Sequence, residues 1–292
     1  MAARARGTGP GAARPPLVAP RARAMAPVPT AMALAPQRAA AAVPVRRRRA
    51  AAGRAEDAEA NRRPWAVIFD VDGTLADSTQ LAFTATNEVL ARNGHAQVSI
   101  EEYRKATIHT TPRRMAVHAH GDPDHPDGAT LGADFDDTYV ARVSEETTPF
   151  FPHVAATIHA VADQGARLGV LSNACGEYAR EVCAANGDAG AALARWDCVF
   201  GADDVPAPKP APDGLHACIQ TLLGNDADHS CVVYVGDAPT DGTAARAAGC
   251  RSVAVAWGAH SADDLRPHFD VVVEEGTQLY DAIANVVEAV RA

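Results

Sequence analysis

Val67-Ile68-Phe69-Asp70-Val71-Asp72-Gly73-Thr74-Leu75 is the stretch whose reading decides the fold. Val67 to Phe69 form a short continuous apolar run, the pattern of a strand buried on both faces of a parallel sheet. The run ends on Asp70, a second carboxylate follows at Asp72, and Gly73 lets the backbone turn sharply. In open α/β sheets, ligands bind in the crevice beyond the carboxyl ends of the strands. Two acids placed there are costly unless a cation or a reaction accounts for them.

Outward from this stretch, the spacing predicts helices first. One runs through Leu81, Val89 and Leu90 to Asn93-Gly94, with Asp77 or Ser78 as its cap. Others are expected at Ile100 to Thr107, Arg113 to His120 and Ala133 to Glu146, separated by Gly, Pro and Asp clusters. No second strand-helix-strand unit intervenes. From Phe151 onward strands and helices alternate: strands at Leu168 to Leu171, Cys198 to Phe200, Val232 to Val235, Ser252 to Ala256 and Asp270 to Val273. Helices are expected between them at Val154 to Asp163, Glu177 to Asn186, Asp213 to Leu223 and Thr240 to Ala248, and a closing helix carries Leu279, Ile283, Val286, Val287 and Val290 on one face. This alternation predicts an α/β fold with a doubly wound parallel sheet.

Four elements remote in sequence end strands of that sheet and should open into one crevice. They are Asp70/Asp72, Ser172-Asn173, Lys209-Pro210 in a proline-rich loop, and Gly236-Asp237 with Asp241 shortly after. A carboxylate can attack phosphorus and form an acyl phosphate that water later cleaves. It can approach a dianionic phosphate only if a hard-oxygen-liganded cation and a positive side chain offset their repulsion. Singly, Lys209 would be a solvated loop lysine and Ser172-Asn173 a helix cap; together and in order, each at a strand end, they point to chemistry.

The hydrophobic run followed by Asp-x-Asp-Gly-Thr-Leu resembles the signature of the haloacid dehalogenase superfamily, and the other motifs follow in that superfamily's order from about Trp65 to the C-terminus. The resemblance implies a core of residues 61–76 and 150–292 with a helical cap inserted at 77–149. It implies that Asp70 is the nucleophile and a metal ligand. Asp72 would be the acid/base, its backbone carbonyl also binding metal. Ser172, Asn173 and Lys209 would hold phosphate, Asp237 would complete the metal site, and Asp241 would support it. Backbone N–H groups around Val71 to Gly73 and after Ser172 would form an oxyanion cradle. The implied cofactor is magnesium and the implied partner a small-molecule phosphate ester. Dehalogenases of this superfamily lack the second Asp, so Asp72 argues against dehalogenation. The leading reading is a phosphatase similar to phosphoglycolate and sugar-phosphate phosphatases. The alternatives are a phosphomutase resembling β-phosphoglucomutase and a regulatory protein with a decayed site. In the cap, Thr110, Thr111, Arg113 and Arg114 open a helix and could meet an anionic substrate group.

Composition bounds the rest. With 292 residues, 47% of them apolar, a sizeable core is within reach, and no apolar run attains the ~18 residues a bilayer span needs. Residues 1–55 hold eleven of the 27 basic side chains and no acid. The remainder therefore carries 16 basic against 36 acidic residues, a net of −20, which argues against nucleic-acid binding by the folded part. The basic, Ala- and Pro-rich segment 1–60 reads as an organelle transit peptide, for a plastid first, with mitochondrion, a nuclear signal at Arg46 to Arg49 and a plain tail as alternatives. Six cysteines show no metal spacing and are expected as buried thiols, Cys175 being the one near the site. His109, His118, His120, His125 and His153 show no coherent metal spacing either.

Overall fold

Every residue of β1, Ala66–Phe69, is fully buried, and the strand sits at the centre of a six-stranded parallel sheet of order β3-β2-β1-β4-β5-β6. The computed structural model describes residues 63–187 and 196–291. The segment read as a transit peptide lies outside the described residues. The remaining strands are β2 (Arg167–Leu171), β3 (Cys198–Phe200), β4 (Val232–Gly236), β5 (Arg251–Val255) and β6 (Val271–Val273). β1 pairs with β2 on one side and β4 on the other, Phe69 standing level with Val170 and Val235. The strand order reverses direction between β1 and β4, so the crevice at that switch point lies directly beyond Asp70.

Helices follow the strands as the alternation predicts, α5 (Val154–Asp163), α6 (Gly176–Ala185), α7 (Asp213–Leu223), α8 (Pro239–Ala248) and α10 (Leu279–Arg291), with one short helix that the sequence reading did not expect, α9 (Ala262–Leu265). They cover both faces of the sheet. On one, Leu215, Cys218, Ile219 and Leu222 pack with Ile68 and Tyr234; on the other, Val154, Ile158, Ile283 and Val287 pack with Val67, Val233 and Val253.

Between β1 and α5 come four helices and no strand of the sheet: α1 (Thr79–Arg92), α2 (Ile100–Ala106), α3 (Thr111–His120) and α4 (Gly128–Val140). The chain leaves and re-enters the sheet at one place, where Asp77 N–H donates to Pro149 and Phe151 N–H donates to Leu75. The helix expected at Ala133 to Glu146 is instead α4, displaced toward the N-terminus. Gly128 and Gly132 lie against Pro112 so closely that a Cβ at Gly128 would stand 2.6 Å from the Pro112 carbonyl oxygen. They let α3 and α4 approach. Ser78 does occupy the N-cap position of α1, but its side chain makes no capping bond; its hydroxyl goes to Asp72.

Candidate active site

Asp70 is the first residue past β1, and its own N–H donates to Val235, which ties it to β4. Its side chain is buried, at 6% exposure, and Lys209 Nζ stands 2.7 Å from its Oδ1. Lys209 is equally buried and lies 2.7 Å from Asp241 Oδ1 as well. Tyr234, on β4, completes the arrangement: Lys209 Nζ donates to its hydroxyl at 2.8 Å, and that hydroxyl lies 3.2 Å from the Leu171 carbonyl and 3.3 Å from Asp241 Oδ1. Burial opposes the charge on Lys209, but Asp241 and Asp70 outweigh it and hold the ammonium more firmly than usual.

Asp70, Asp237 and Asp241 place one carboxylate oxygen each within 4.8 Å of one another, and all three are buried. One ammonium cannot neutralise three carboxylates. The imbalance shows in their proton affinities. Burial lifts Asp70 to about 7, against the pull of Lys209 and with the push of Asp241, and burial followed by Asp70 and Asp241 lifts Asp237 well above the usual carboxylate range. An all-carboxylate, hard-oxygen donor set with uncompensated negative charge fits a divalent cation such as magnesium. Asp241, expected as a supporting acid, is a member of this cluster, whereas the side chain of Asp72 is not.

Gly73 holds the turn after Asp72 at φ 76°, a left-handed conformation that suits glycine. Any Cβ there would fall on the Asp237 carboxylate. Asp237 itself accepts a 2.7 Å bond from Ala259 N–H, which aims it back across the Gly73 turn. Asp72 points away from the cluster. Its Oδ1 accepts from Ser78 and from Tyr178 at 2.7 Å, with the Tyr139 hydroxyl 3.1 Å away.

The positions expected to hold phosphate divide. Ser172 is buried and its Oγ accepts from Ala174 N–H at 3.0 Å. The Asn173 amide grips the Lys209 backbone at two points, donating to its carbonyl at 3.0 Å and accepting its N–H at 2.9 Å. Asn173 thereby fixes the loop that presents Lys209. The oxyanion cradle is smaller than expected, because Gly73 N–H donates to Ala76 and Ala174 N–H to Ser172 Oγ. The amides of Val71, Asp72 and Asn173 remain as the candidates.

The structure separates the two cap arginines. Arg113 forms a surface ion pair with Asp124 at 3.1 Å, both side chains at least half exposed. Arg114 turns inward, its guanidinium 4.9 Å from the Phe135 ring centre and 5.7 Å from that of Tyr103. Its Nε is buried without a hydrogen-bond partner, and nearby Asp136 is lifted to about 6 by burial. Thr111 is buried at the start of α3. Cys175 is half-buried with its thiol pushed up to about 11 by burial, which disfavours the thiolate a redox sensor needs. Sequence reasoning missed Tyr139, Tyr178 and Tyr234. Each reads as an ordinary core aromatic, and only the strand and helix partners reveal its hydroxyl contacts.

A protein-family model described as haloacid dehalogenase-like hydrolase matches residues 67–255, which contain Asp70, Asp72, Ser172, Asn173, Lys209, Asp237 and Asp241. The chain belongs to the haloacid dehalogenase-like hydrolase family. It is similar to the phosphoglycolate phosphatase of Xylella fastidiosa, 30% identical over 221 residues that cover 75% of this chain and 93% of that protein. The phosphoglycolate phosphatase of Caulobacter vibrioides is 31% identical over 196 residues, 66% of this chain and 79% of that one. Among solved structures, CbbY from Rhodobacter sphaeroides in complex with phosphate is 25% identical with a TM-score of 0.64, covering 74% of this chain and 96% of that one. As a haloacid dehalogenase-like hydrolase of the phosphoglycolate phosphatase-like group, the chain is an enzyme, a phosphatase. The phosphatase relatives do not favour the mutase alternative.

Proposed function

We propose that the chain is a magnesium-dependent phosphatase that hydrolyses a small phosphate monoester, phosphoglycolate or a sugar phosphate, through an aspartyl phosphate on Asp70. The observation that carries this reading is the buried contact of Asp70 with Lys209 inside the Asp70/Asp237/Asp241 cluster. Asp70 supplies the in-line nucleophile. Lys209 neutralises phosphoryl oxygens and keeps the nucleophile oriented, with Asn173 and Tyr234 fixing Lys209 in turn. Asp70, Asp237 and the Asp72 carbonyl, with Asp241 beside them, would hold magnesium, which when bound supplies positive charge against the phosphoryl group. The Ser172 hydroxyl and the free amides of the Asp70 turn receive the remaining phosphate oxygens. Asp72 protonates the departing alkoxide and afterwards takes a proton from the attacking water.

The helices of residues 77–149 are the cap in this reading, and the inward-turned Arg114, whose buried Nε has no hydrogen-bond partner, is its residue for a substrate anion. That matches a carboxylate-bearing ester such as phosphoglycolate, the substrate named for the relatives above. A phosphate-release screen over small phosphate esters, with Asp70→Asn as control, tests the reading. Release must require Asp70, and turnover by Asp70→Asn at a tenth of the natural rate or more would overturn it.

A further inference from the structure

Two tyrosines have no place in the reaction so far. Tyr178 lies on α6 and Tyr139 on α4, one from the layer around the sheet and one from the inserted helices. Their rings stack with centres 4.1 Å apart and planes 15° from parallel, both almost fully buried. A buried phenol O–H requires a partner. Tyr178 donates to Asp72 Oδ1 at 2.7 Å, and the Tyr139 hydroxyl lies 2.8 Å from that of Tyr178 and 3.1 Å from the same Asp72 oxygen. Ser78 donates to that same oxygen. Each phenol has one O–H to donate, and the Asp72 carboxylate oxygen is the acceptor within reach of both.

We propose that Tyr139 and Tyr178 are positioning residues that lock the Asp72 carboxyl group through Oδ1 and leave Oδ2 as the atom that carries the catalytic proton. The inference rests on the acid/base role given to Asp72 above. As a carboxylate oxygen of Asp70 bonds to phosphorus and the ester P–O bond breaks, the Oδ2 proton passes to the departing oxygen. As water then attacks phosphorus and the Asp70 acyl phosphate opens, Oδ2 takes up the proton that water loses. Both transfers need the same oxygen at the same place, and a carboxyl group free to rotate would exchange Oδ1 for Oδ2 between them. Because Tyr139 stands on α4, the lock is complete only when the inserted helices are seated.

The test compares kcat/KM for an alkyl phosphate with that for p-nitrophenyl phosphate, in wild type and in Tyr139→Phe, Tyr178→Phe and Asp72→Asn. The alkoxide needs a proton to leave and nitrophenolate does not, so loss of a well-placed acid falls on the alkyl ester. Phe keeps the ring stack, so a purely packing role would leave the alkyl-to-aryl ratio unchanged. The expected result is a ratio lowered about tenfold in each tyrosine variant and about a hundredfold or more in Asp72→Asn. If Asp72→Asn lowers the ratio and both tyrosine variants keep the wild-type ratio, the lock is overturned and the acid/base reading stands. If Asp72→Asn keeps it too, Asp72 is not the acid and both fall. Should Tyr178→Phe fold poorly, Tyr139→Phe alone decides.

Discussion

Lys209 Nζ stands 2.7 Å from Asp70 Oδ1 and the same distance from Asp241 Oδ1, so one buried ammonium joins the tips of three elements: β1, the loop before α7, and α8. Removing one partner of such a buried pair leaves uncompensated charge, at a cost of ~3–5 kcal/mol. Lys209→Met should therefore lower the melting temperature by several degrees and reduce kcat/KM by about a hundredfold or more. Thermal melts beside steady-state kinetics check both. A Lys209→Met enzyme that keeps wild-type turnover contradicts the role given to this lysine.

Metal removal should abolish turnover, and magnesium should restore it. The pH dependence carries a sign. Asp70 binds its proton more tightly folded, to about 7, than the unfolded 3.8, with burial as the main cause. The stability this proton supplies to the metal-free protein is fully present below 3.8 and is lost as pH rises through about 7. A cation that replaces the proton should thus raise the melting temperature more at pH 8 than at pH 5. Melts with and without magnesium at both values decide it; an equal or larger rise at pH 5 contradicts the carboxylate cluster as the metal site.

Gly73→Ala should be inactive. Its φ of 76° costs a residue with a Cβ roughly 1–2 kcal/mol, and that Cβ would displace the Asp237 carboxylate. Activity loss with a folded circular dichroism spectrum is the expected pair of observations. Near-normal activity would show that Asp237 does not need its present position.

Tyr234→Phe removes a hydroxyl shared by Lys209, the Leu171 carbonyl and Asp241. A hydrogen bond to a charged partner contributes ~1.5–3 kcal/mol, so chemical denaturation should register a loss of that order. Turnover should fall severalfold as Lys209 loosens. Unchanged stability would place the Lys209 charge on the two carboxylates alone.

Much of this is legible in the sequence alone. The strands around the site are short apolar runs ending on Asp, Ser or Gly, and a parallel sheet turns each such ending toward one crevice. That is why Asp70, Ser172, Lys209, Asp237 and Asp241, spread over some 170 positions, could be assigned to one place. What sequence left out has physical reasons. α4 starts earlier than expected because Gly128 and Gly132, lacking side chains, let it pack directly against Pro112. α9 is a single short turn whose capping pair, Ser261 and Asp264, is its main signal. Asn173 also grips the Lys209 backbone through its side-chain amide, a contact set by loop packing rather than by any local pattern. Tyr139, Tyr178 and Tyr234 are buried aromatics whose function lies in the last atom of each side chain.

A haloacid dehalogenase-like enzyme working as argued here must pass through phosphate held covalently by β1's terminal carboxylate. Acid quenching during turnover of a phosphate-labelled ester, followed by peptide mapping, tests this most directly. The label should appear on the peptide containing Asp70, disappear on brief alkaline treatment as an acyl phosphate does, and be absent from Asp70→Asn. Turnover without labelled protein, or label that persists in Asp70→Asn, would contradict the account.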